Sequence, residues 1–263
     1  MSSQPLAGRR ILLTRAAAQL PALAEMVRRR GAVPVAFPCL AVESMPDTIM
    51  QAIAKLERFS DVLFTSCNGV SSVVDALGSH GMDAAALFAP MRVAAVGNQT
   101  ADCLNQHGIR TDIVPETASQ DGLVDAYLQS GLPERLLFFR AEEGREALAG
   151  ALTERGIEVE TVAAYRTICP HDDASDVIAM LRDGEVDAVL LGSARACLHY
   201  LQRVGDATLA ARPVSVAISQ KMAAAAMCGG LHVQLVAKSA SFEAMLDVLS
   251  DHFATDRSSY THE

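Results

Sequence analysis

Small polar residues stand at two points where an apolar run passes into a helical pattern. Thr65 and Ser66 follow the run "DVLF", and Gly97 and Thr100 open the helical pattern that follows "RVAAV". At such a strand-to-helix turn, unpaired N–H groups and the positive end of the helix dipole favour an anion. These turns therefore predict a site for carboxylate or phosphate groups. A turn that binds nothing is the alternative for any one of them, because short connections of this kind are common.

Basic residues occur in the segments that contain turns of this kind, although the chain as a whole is acidic. Five cations accompany the turns: Arg15, Arg140, Arg145, Arg195 and Lys221. The chain has 22 Lys and Arg residues against 31 Asp and Glu residues, and a formal net charge of −9. This balance argues against a protein that binds nucleic acid through its phosphate backbone. An anionic ligand must then be held locally, and a solvated surface charge is the competing interpretation for each cation alone.

Several other chemistries lack their sequence signatures. The chain has no GxSxG, GxxxxGK[ST], GxGxxG or HExxH motif, which argues against a hydrolase, a nucleoside triphosphatase and a zinc enzyme. The cysteines and histidines are dispersed without metal-ligand spacing, so we expect no metal and reduced core thiols. The first residues lack an apolar signal segment and no apolar run is long enough to span a membrane, so we expect a cytoplasmic protein without membrane contact.

Short apolar runs alternate with helical patterns along the chain. "RRILLTR" precedes a pattern that places Leu20, Leu23 and Val27 on one helix face, and Gly31 ends that pattern. "DVLFTS" and "MRVAAVG" are each followed by a similar pattern. Alternation of this kind predicts an α/β fold whose parallel sheets are covered by helices on both faces.

The same units return later in the chain, in the same order and at nearly constant offsets. Four pairs of positions match: Arg15 with Arg140, Gly31 with Gly156, Ser66 with Ser193, and Gly97 with Ser219. Such a series predicts a duplicated α/β domain of about 120 residues. Ligands of doubly wound sheets bind beyond the carboxyl ends of the strands, so the duplication predicts two binding rims that face one cleft.

The order of these motifs resembles the uroporphyrinogen-III synthase family. The resemblance covers residues 8–250 and rests on "ILLTR", "VLFTSCNGV", "VAAVGNQTA", "GREALAGALTERGIEVETVAAYRT" and "SASFEAMLDVL". It implies an α/β fold of two similar domains, each a parallel sheet flanked by helices, joined by two connecting strands. One domain would comprise residues 8–36 plus 170–254 and the other residues 40–165. The ends, residues 1–7 and 255–263, are expected to be disordered tails.

The resemblance also implies a reaction, a cyclodehydration that needs no cofactor. Members of the family convert hydroxymethylbilane, a linear tetrapyrrole with many carboxylates, into uroporphyrinogen III with inversion of ring D, in haem, sirohaem and cobalamin biosynthesis. Because free hydroxymethylbilane closes by itself to the uninverted isomer, orientation of the substrate should dominate, with acid assistance to the leaving hydroxyl second. The implied partners are this small molecule and, transiently, the preceding pathway enzyme; we expect a monomer.

The family motifs and the nearby cations together assign candidate site residues. Tyr165 matches the tyrosine of the second connecting strand and is the candidate acid, because its neutral phenol can donate a hydrogen bond to the departing oxygen. The candidate substrate-binding residues are Arg15, Thr65, Ser66, Asn68, Gly97, Thr100, Arg140, Ser193 and Lys221. A packing tyrosine and simple helix capping are the competing interpretations.

The second copy of the repeat departs from the family pattern. Ser219 stands where glycine is usual, Met222 where threonine is usual, and Gly192 replaces the residue that commonly precedes Ser193. These departures predict weaker binding on this side, unless Lys221 supplies a compensating cation. A non-enzymatic tetrapyrrole or polyanion sensor on the same two-domain fold stays open as an alternative, which a turnover assay would separate.

Overall fold

The chain folds into two compact units, each built around its own β-sheet. The computed structural model describes residues 4–144 and 147–259. Residues up to Ala41 together with those from Ile168 onward form unit 1, and Val42–Thr167 form unit 2. None of the helices in the described ranges is long and apolar enough to cross a membrane.

Strands and helices alternate as the sequence predicts. The strands are β1 (Arg10–Leu13), β2 (Val33–Ala36), β3 (Ala41–Ser44), β4 (Asp61–Phe64), β5 (Arg92–Ala95), β6 (Arg135–Ala141), β7 (Glu158–Ile168), β8 (Ala188–Leu191), β9 (Val214–Ala217) and β10 (Leu235–Val236). The α-helices are α1 (Leu20–Arg29), α2 (Pro46–Ile53), α3 (Cys67–Ser79), α4 (Ala84–Phe88), α5 (Asn98–Gln106), α6 (Gln120–Ser130), α7 (Ala147–Thr153), α8 (Ser175–Arg182), α9 (Ala194–Val204), α10 (Ala207–Ala210), α11 (Gln220–Cys228) and α12 (Phe242–Ser259).

The sheet of unit 1 has the order β10-β9-β8-β1-β2, and its pairings are parallel. The sheet of unit 2 has the order β3-β7-β6-β4-β5 and is mixed. The predicted α/β fold is therefore confirmed: the sheet of unit 1 is parallel, and strands β4, β5, β6 and β7 of unit 2 also pair in parallel. The sheet of unit 2 is mixed because of β3, which adds to β7 at one side of an otherwise parallel sheet.

The two sheets share one strand order, which supports the predicted repeat. The run β9-β8-β1-β2 of unit 1 corresponds to β5-β4-β6-β7 of unit 2. The central strands β4 and β8 are buried along their whole length, as expected for strands with helices on both faces. Gly31 and Gly156, which match in the repeat, both follow helices with positive φ angles of 77° and 85°, a conformation that favours glycine.

A bulge interrupts β7 between Ala163 and Tyr165. Arg140 pairs with Ala163, whereas the following residue, Ala141, pairs with Tyr165. The extra residue, Ala164, breaks the alternation of side chains, so that Tyr165 shares a core cluster with Phe139 instead of pointing to the opposite face. The bulge therefore decides on which face of the sheet the candidate acid lies.

The described parts of the two predicted tails, residues 4–7 and 255–259, are more ordered than the sequence predicts. Leu6 is fully buried against the apolar cluster of α1 and α12, although residues 4–7 belong to a predicted tail. Helix α12 runs to Ser259, because its buried residues Met245, Leu249 and Phe253 anchor it to the sheet. The rest of the predicted tails, residues 1–3 and 260–263, lies outside the described residues.

Candidate active site

A cavity lies at the carboxyl ends of the strands of unit 2. The rim of unit 2 consists of the turns after β4, β5 and β6, at residues 65–66, 96–97 and 141–144. The cavity at this rim has a volume of about 330 Å³. Its lining residues are Thr65, Ser66, Val96, Phe138, Arg140, Ala141, Gly144, Leu148 and Tyr165. The fold thus brings together four residues that the sequence predicts separately, namely Thr65, Ser66, Arg140 and Tyr165.

Tyr165 reaches this cavity from β7 and meets a hydroxyl there. Its side chain is largely buried, with 8% of the residue exposed, and its phenol oxygen lies 2.9 Å from Ser66 Oγ. Either oxygen can donate in this hydrogen bond. Because the residue is otherwise packed among apolar side chains, its hydroxyl is the part of Tyr165 that is available for chemistry at the cavity.

Ser66 is fixed by its position at the start of α3. It has extended backbone angles of φ −159° and ψ 152°, and its Oγ accepts a hydrogen bond of 3.1 Å from the Gly69 N–H group. This is the standard N-cap arrangement, in which a side-chain oxygen satisfies an N–H group of the first helical turn. Ser66 directly precedes the 13-residue helix α3, so the positive end of the helix dipole lies at the Ser66–Tyr165 pair.

Arg140 gives the cavity a cation. It lies near the end of β6, and its Nη1 donates to the carbonyl oxygen of Gly144, in the turn that closes this side of the rim. A Cβ atom on Gly144 would lie 2.9 Å from both Ala141 O and Arg140 Nη1, so glycine allows this close approach. The predicted cation Arg145 lies outside the described residues.

The structure does not bring every predicted residue of unit 2 into the cavity lining. Gly97 caps α5, and its neighbour Val96 is the lining residue at this turn. Thr100 is only 5% exposed and lies on the buried face of α5. Asn68 is exposed in the first turn of α3. None of these three residues is among the residues that line the cavity.

The rim of unit 1 consists of the turns after β1, β8 and β9, and it is built differently. Arg15 Nε donates to Gln19 Oε1 at 2.7 Å, and the guanidinium carbon lies 5.3 Å from the centre of the Phe242 ring. A Cβ atom on Gly192 would lie 2.7 Å from Phe242 Cζ. The glycine that departs from the family pattern therefore leaves room for the aromatic ring that supports Arg15.

The other predicted residues of unit 1 are helix-terminal. Ser193 caps α9 by accepting from Ala196 N at 3.1 Å. Ser219 caps α11 in the same way, accepting from Met222 N at 3.3 Å, and Met222 itself is buried. Lys221 is exposed in the first turn of α11. Within the described part of unit 1, no tyrosine hydroxyl is hydrogen-bonded to either serine.

The cysteines fit the predicted reduced state, and three of them the predicted core location. Cys39, Cys169 and Cys197 are buried free thiols, and burial raises the pKa of Cys197 to about 11. Cys228 is exposed, which differs from the prediction, because it ends α11 on the solvent side. The described residues contain no group of three or more His, Cys, Asp or Glu side chains placed to hold a metal ion.

Sequence reasoning missed two parts of the site. The first is the β7 bulge, which leaves the adjacent residues Ala164 and Tyr165 both buried. The second is the contact of Phe242 with Arg15, two residues that are far apart in sequence and meet only in the folded chain. Neither feature has a local motif.

Comparison with known proteins gives a consistent result. The sequence model of the family described as uroporphyrinogen-III synthase HemD matches residues 21–247. A uroporphyrinogen-III synthase of Synechococcus elongatus is 31% identical over 205 residues, which cover 77% of each chain. The porphyrin biosynthesis protein HemD of Ruminiclostridium josui is 28% identical over 94% of this chain, which spans 49% of that longer relative.

Solved structures support the fold. A uroporphyrinogen-III synthetase from Helicobacter pylori aligns with a TM-score of 0.59 and 16% identity over 93% of this chain and 99% of that chain. A mutant uroporphyrinogen III synthase from Thermus thermophilus aligns with a TM-score of 0.54 and 20% identity over 95% of this chain and 100% of that chain. At these identities the alignments are evidence for the shared architecture.

Proposed function

We propose that this chain, which belongs to the uroporphyrinogen-III synthase family, closes hydroxymethylbilane to uroporphyrinogen III with inversion of ring D and loss of water. The family acts in tetrapyrrole biosynthesis. We assign this reaction to the cavity of unit 2 because Tyr165 contacts Ser66 there.

Tyr165 is proposed as the acid for the departure of the substrate hydroxyl. The phenol proton moves to that hydroxyl, the carbon–oxygen bond breaks, and its electron pair leaves with the water that forms. The resulting positive charge is delocalised into the electron-rich pyrrole. The substituted α carbon of ring D attacks this cation and forms a spiro intermediate, whose earlier bond from that carbon to the bridge of ring C then breaks. The unsubstituted α carbon of ring D bonds to the freed bridge carbon, which inverts the ring, and the proton that this α carbon loses returns the phenolate to phenol. The net change is the loss of one water molecule.

Orientation of the substrate is the larger task, because the uninverted product forms without an enzyme. Arg140 is proposed to bind a substrate carboxylate at the cavity, since a guanidinium fork matches the geometry of a carboxylate. The N–H groups and hydroxyls of the turns around it are proposed to bind further carboxylates or pyrrole groups; these turns contain Thr65, Ser66, Asn68, Gly97 and Thr100.

The rim of unit 1 is proposed to contribute binding without chemistry. Arg15, Ser193 and Lys221 are its proposed carboxylate-binding residues, and its hydroxyls act as caps in the structure. We further propose that the protein works in the cytoplasm as a monomer without a cofactor, with transient contact to the enzyme that makes hydroxymethylbilane. The acidic chain as a whole suits a small-molecule ligand that is gripped by local groups.

The test is an isomer assay on the purified chain. Hydroxymethylbilane is generated in place, the products are oxidised, and uroporphyrins I and III are separated by chromatography. We expect predominantly isomer III, at a rate proportional to the protein concentration. A reaction without protein gives the spontaneous background. Isomer I alone, at that background rate, would contradict the proposal and leave a binding protein with the fold of the family.

A further inference from the structure

We propose that Ser66 acts through Tyr165: its hydroxyl holds the phenol so that the phenol proton points into the cavity. This inference rests on the proposed function and changes the predicted role of Ser66 from substrate binding to positioning. The juxtaposition that carries it is one serine oxygen lying between a helix-terminal N–H group and a tyrosine hydroxyl.

The hydrogen-bond capacity of Ser66 determines what it can do. A serine hydroxyl has one proton to donate and two lone pairs to accept with. One lone pair accepts from Gly69 N–H at 3.1 Å, a bond whose direction is fixed because the backbone nitrogen is always the donor. The remaining contact within the described residues is the 2.9 Å bond to Tyr165. The direction of that second bond decides whether the phenol keeps a proton to give.

Cooperativity favours Ser66 as the donor in this second bond. A hydroxyl that already accepts a hydrogen bond is polarised and becomes a better donor. The chain of bonds then runs from Gly69 N–H to Ser66 Oγ and from Ser66 O–H to the phenol oxygen of Tyr165. The phenol proton is then left without an acceptor among the described residues and is directed toward the cavity. In the opposite arrangement, the Tyr165 hydroxyl would donate its hydrogen bond to Ser66, and its proton would not point into the cavity.

The same contact becomes stronger as the reaction proceeds. When Tyr165 gives its proton away, negative charge develops on the phenol oxygen beside the Ser66 hydroxyl. A hydrogen bond to an ionised acceptor is about twice as strong as one between neutral groups. The N-terminus of α3 adds its positive dipole, because the Tyr165 ring packs over the first turn, with Cε1 3.7 Å from where a Gly69 Cβ would be. The interaction is therefore greater in the transition state than in the ground state.

The chain offers a matched control for the capping role of Ser66. Ser119 is the N-cap of α6. Its Oγ accepts from Gly122 N at 3.0 Å, three residues later, as Ser66 Oγ accepts from Gly69 N. No tyrosine hydroxyl in the described residues is bonded to Ser119. Replacing Ser119 by alanine therefore removes a helix cap of the same kind without touching the phenol.

The test is a double-mutant cycle on the full chain. The rate of isomer III formation is measured for the parent protein, Ser66→Ala, Tyr165→Phe and the double variant. We expect Ser66→Ala to lower kcat about fivefold to tenfold with little change in KM, the loss of one hydrogen bond. In the Tyr165→Phe background the same substitution should change nothing further, because Ser66 then has no phenol to orient. Ser119→Ala should leave kcat at the parent value.

Two more variants separate the hydroxyl from the stability of the fold. Ser66→Gly removes the hydroxyl but preserves most of the capping, so it should show the same fall in kcat with a smaller loss of Tm. Ser66→Thr retains the hydroxyl and should recover most of the activity. The inference would be overturned if Ser66→Ala lowered kcat by the same factor in the parent protein and in the Tyr165→Phe variant. It would also be overturned if Ser66→Ala changed KM alone. A fully active Tyr165→Phe protein, or a parent protein that never makes isomer III, would instead overturn the proposed function and this inference with it.

Discussion

The rims of the two units use the same strand-to-helix turn for different purposes. Ser66 caps α3 and Ser193 caps α9, each by accepting a hydrogen bond of 3.1 Å from the N–H group three residues later. In unit 2 the bulged strand β7 places Tyr165 beside the capping serine. In unit 1 the corresponding strand, β2, ends at Ala36, and the described residues place no phenol beside Ser193.

This difference shows where chemistry can arise in a repeated fold. The capping serine is a local structural device, and it is present in both copies because both helices have unpaired N–H groups to satisfy. The bulge of β7 is a single change of register in one copy. It adds a proton donor to an existing helix terminus, which already favours negative charge. We infer that unit 2 performs the proton transfer and that unit 1 contributes binding.

The turns after β5 and β9, which correspond in the repeat, provide the largest expected effect on stability, through a reciprocal exchange of Gly97 and Ser219. Gly97→Ser should lower the free energy of unfolding by about 2 kcal/mol, because a Cβ atom at Gly97 would lie 2.8 Å from Ala118 Cβ and overpack the turn. Ser219→Gly should cost only a few tenths of a kcal/mol, because glycine is tolerated at an N-cap. Chemical denaturation of the two variants measures the asymmetry, and equal losses would show that the turns are equivalent.

The two arginines test whether both rims bind carboxylates. Arg140→Lys should raise KM about tenfold with little change in kcat, because lysine keeps the charge but loses the planar fork. Arg15→Lys should raise KM only about threefold. Arg15 is half-buried against the Phe242 ring, but its guanidinium is still in contact with water, which screens its charge and weakens its attraction for a carboxylate. Initial rates over a range of substrate concentrations give both constants. A fall in kcat for Arg15→Lys with KM unchanged would contradict a purely binding role for unit 1.

Local patterns in the sequence predict a large part of this structure. The alternation of apolar runs and helical patterns predicts the α/β fold, and the matched positions Gly31 and Gly156 both end their helices as expected. The capping positions of Ser66 and Ser193 follow from the same reasoning. These features depend on interactions between residues close in sequence, so a single sequence is sufficient to predict them.

The remaining features depend on register and on contacts between distant segments. The pairing of β3 with β7 makes the sheet of unit 2 mixed, and the bulge at Ala164 turns Tyr165 to the inner face. Phe242 meets Arg15 from the far end of the chain. A shift of one residue in a strand changes the face of every following side chain, and composition alone does not fix that shift. The family motif identifies Tyr165, but its orientation requires the structure.

The most direct test of the account compares two tyrosines of unit 2 in a single-turnover assay of isomer III formation. Tyr127 is fully buried in the core, and its hydroxyl has no hydrogen-bond partner among the described residues. Tyr165→Phe should lower the rate about a hundredfold, the scale of a general acid, so that spontaneous closure to isomer I overtakes it. Tyr127→Phe should react as fast as the parent protein. A Tyr165→Phe protein that forms isomer III at the parent rate would contradict the central claim that the Tyr165 phenol at the rim of unit 2 supplies the proton.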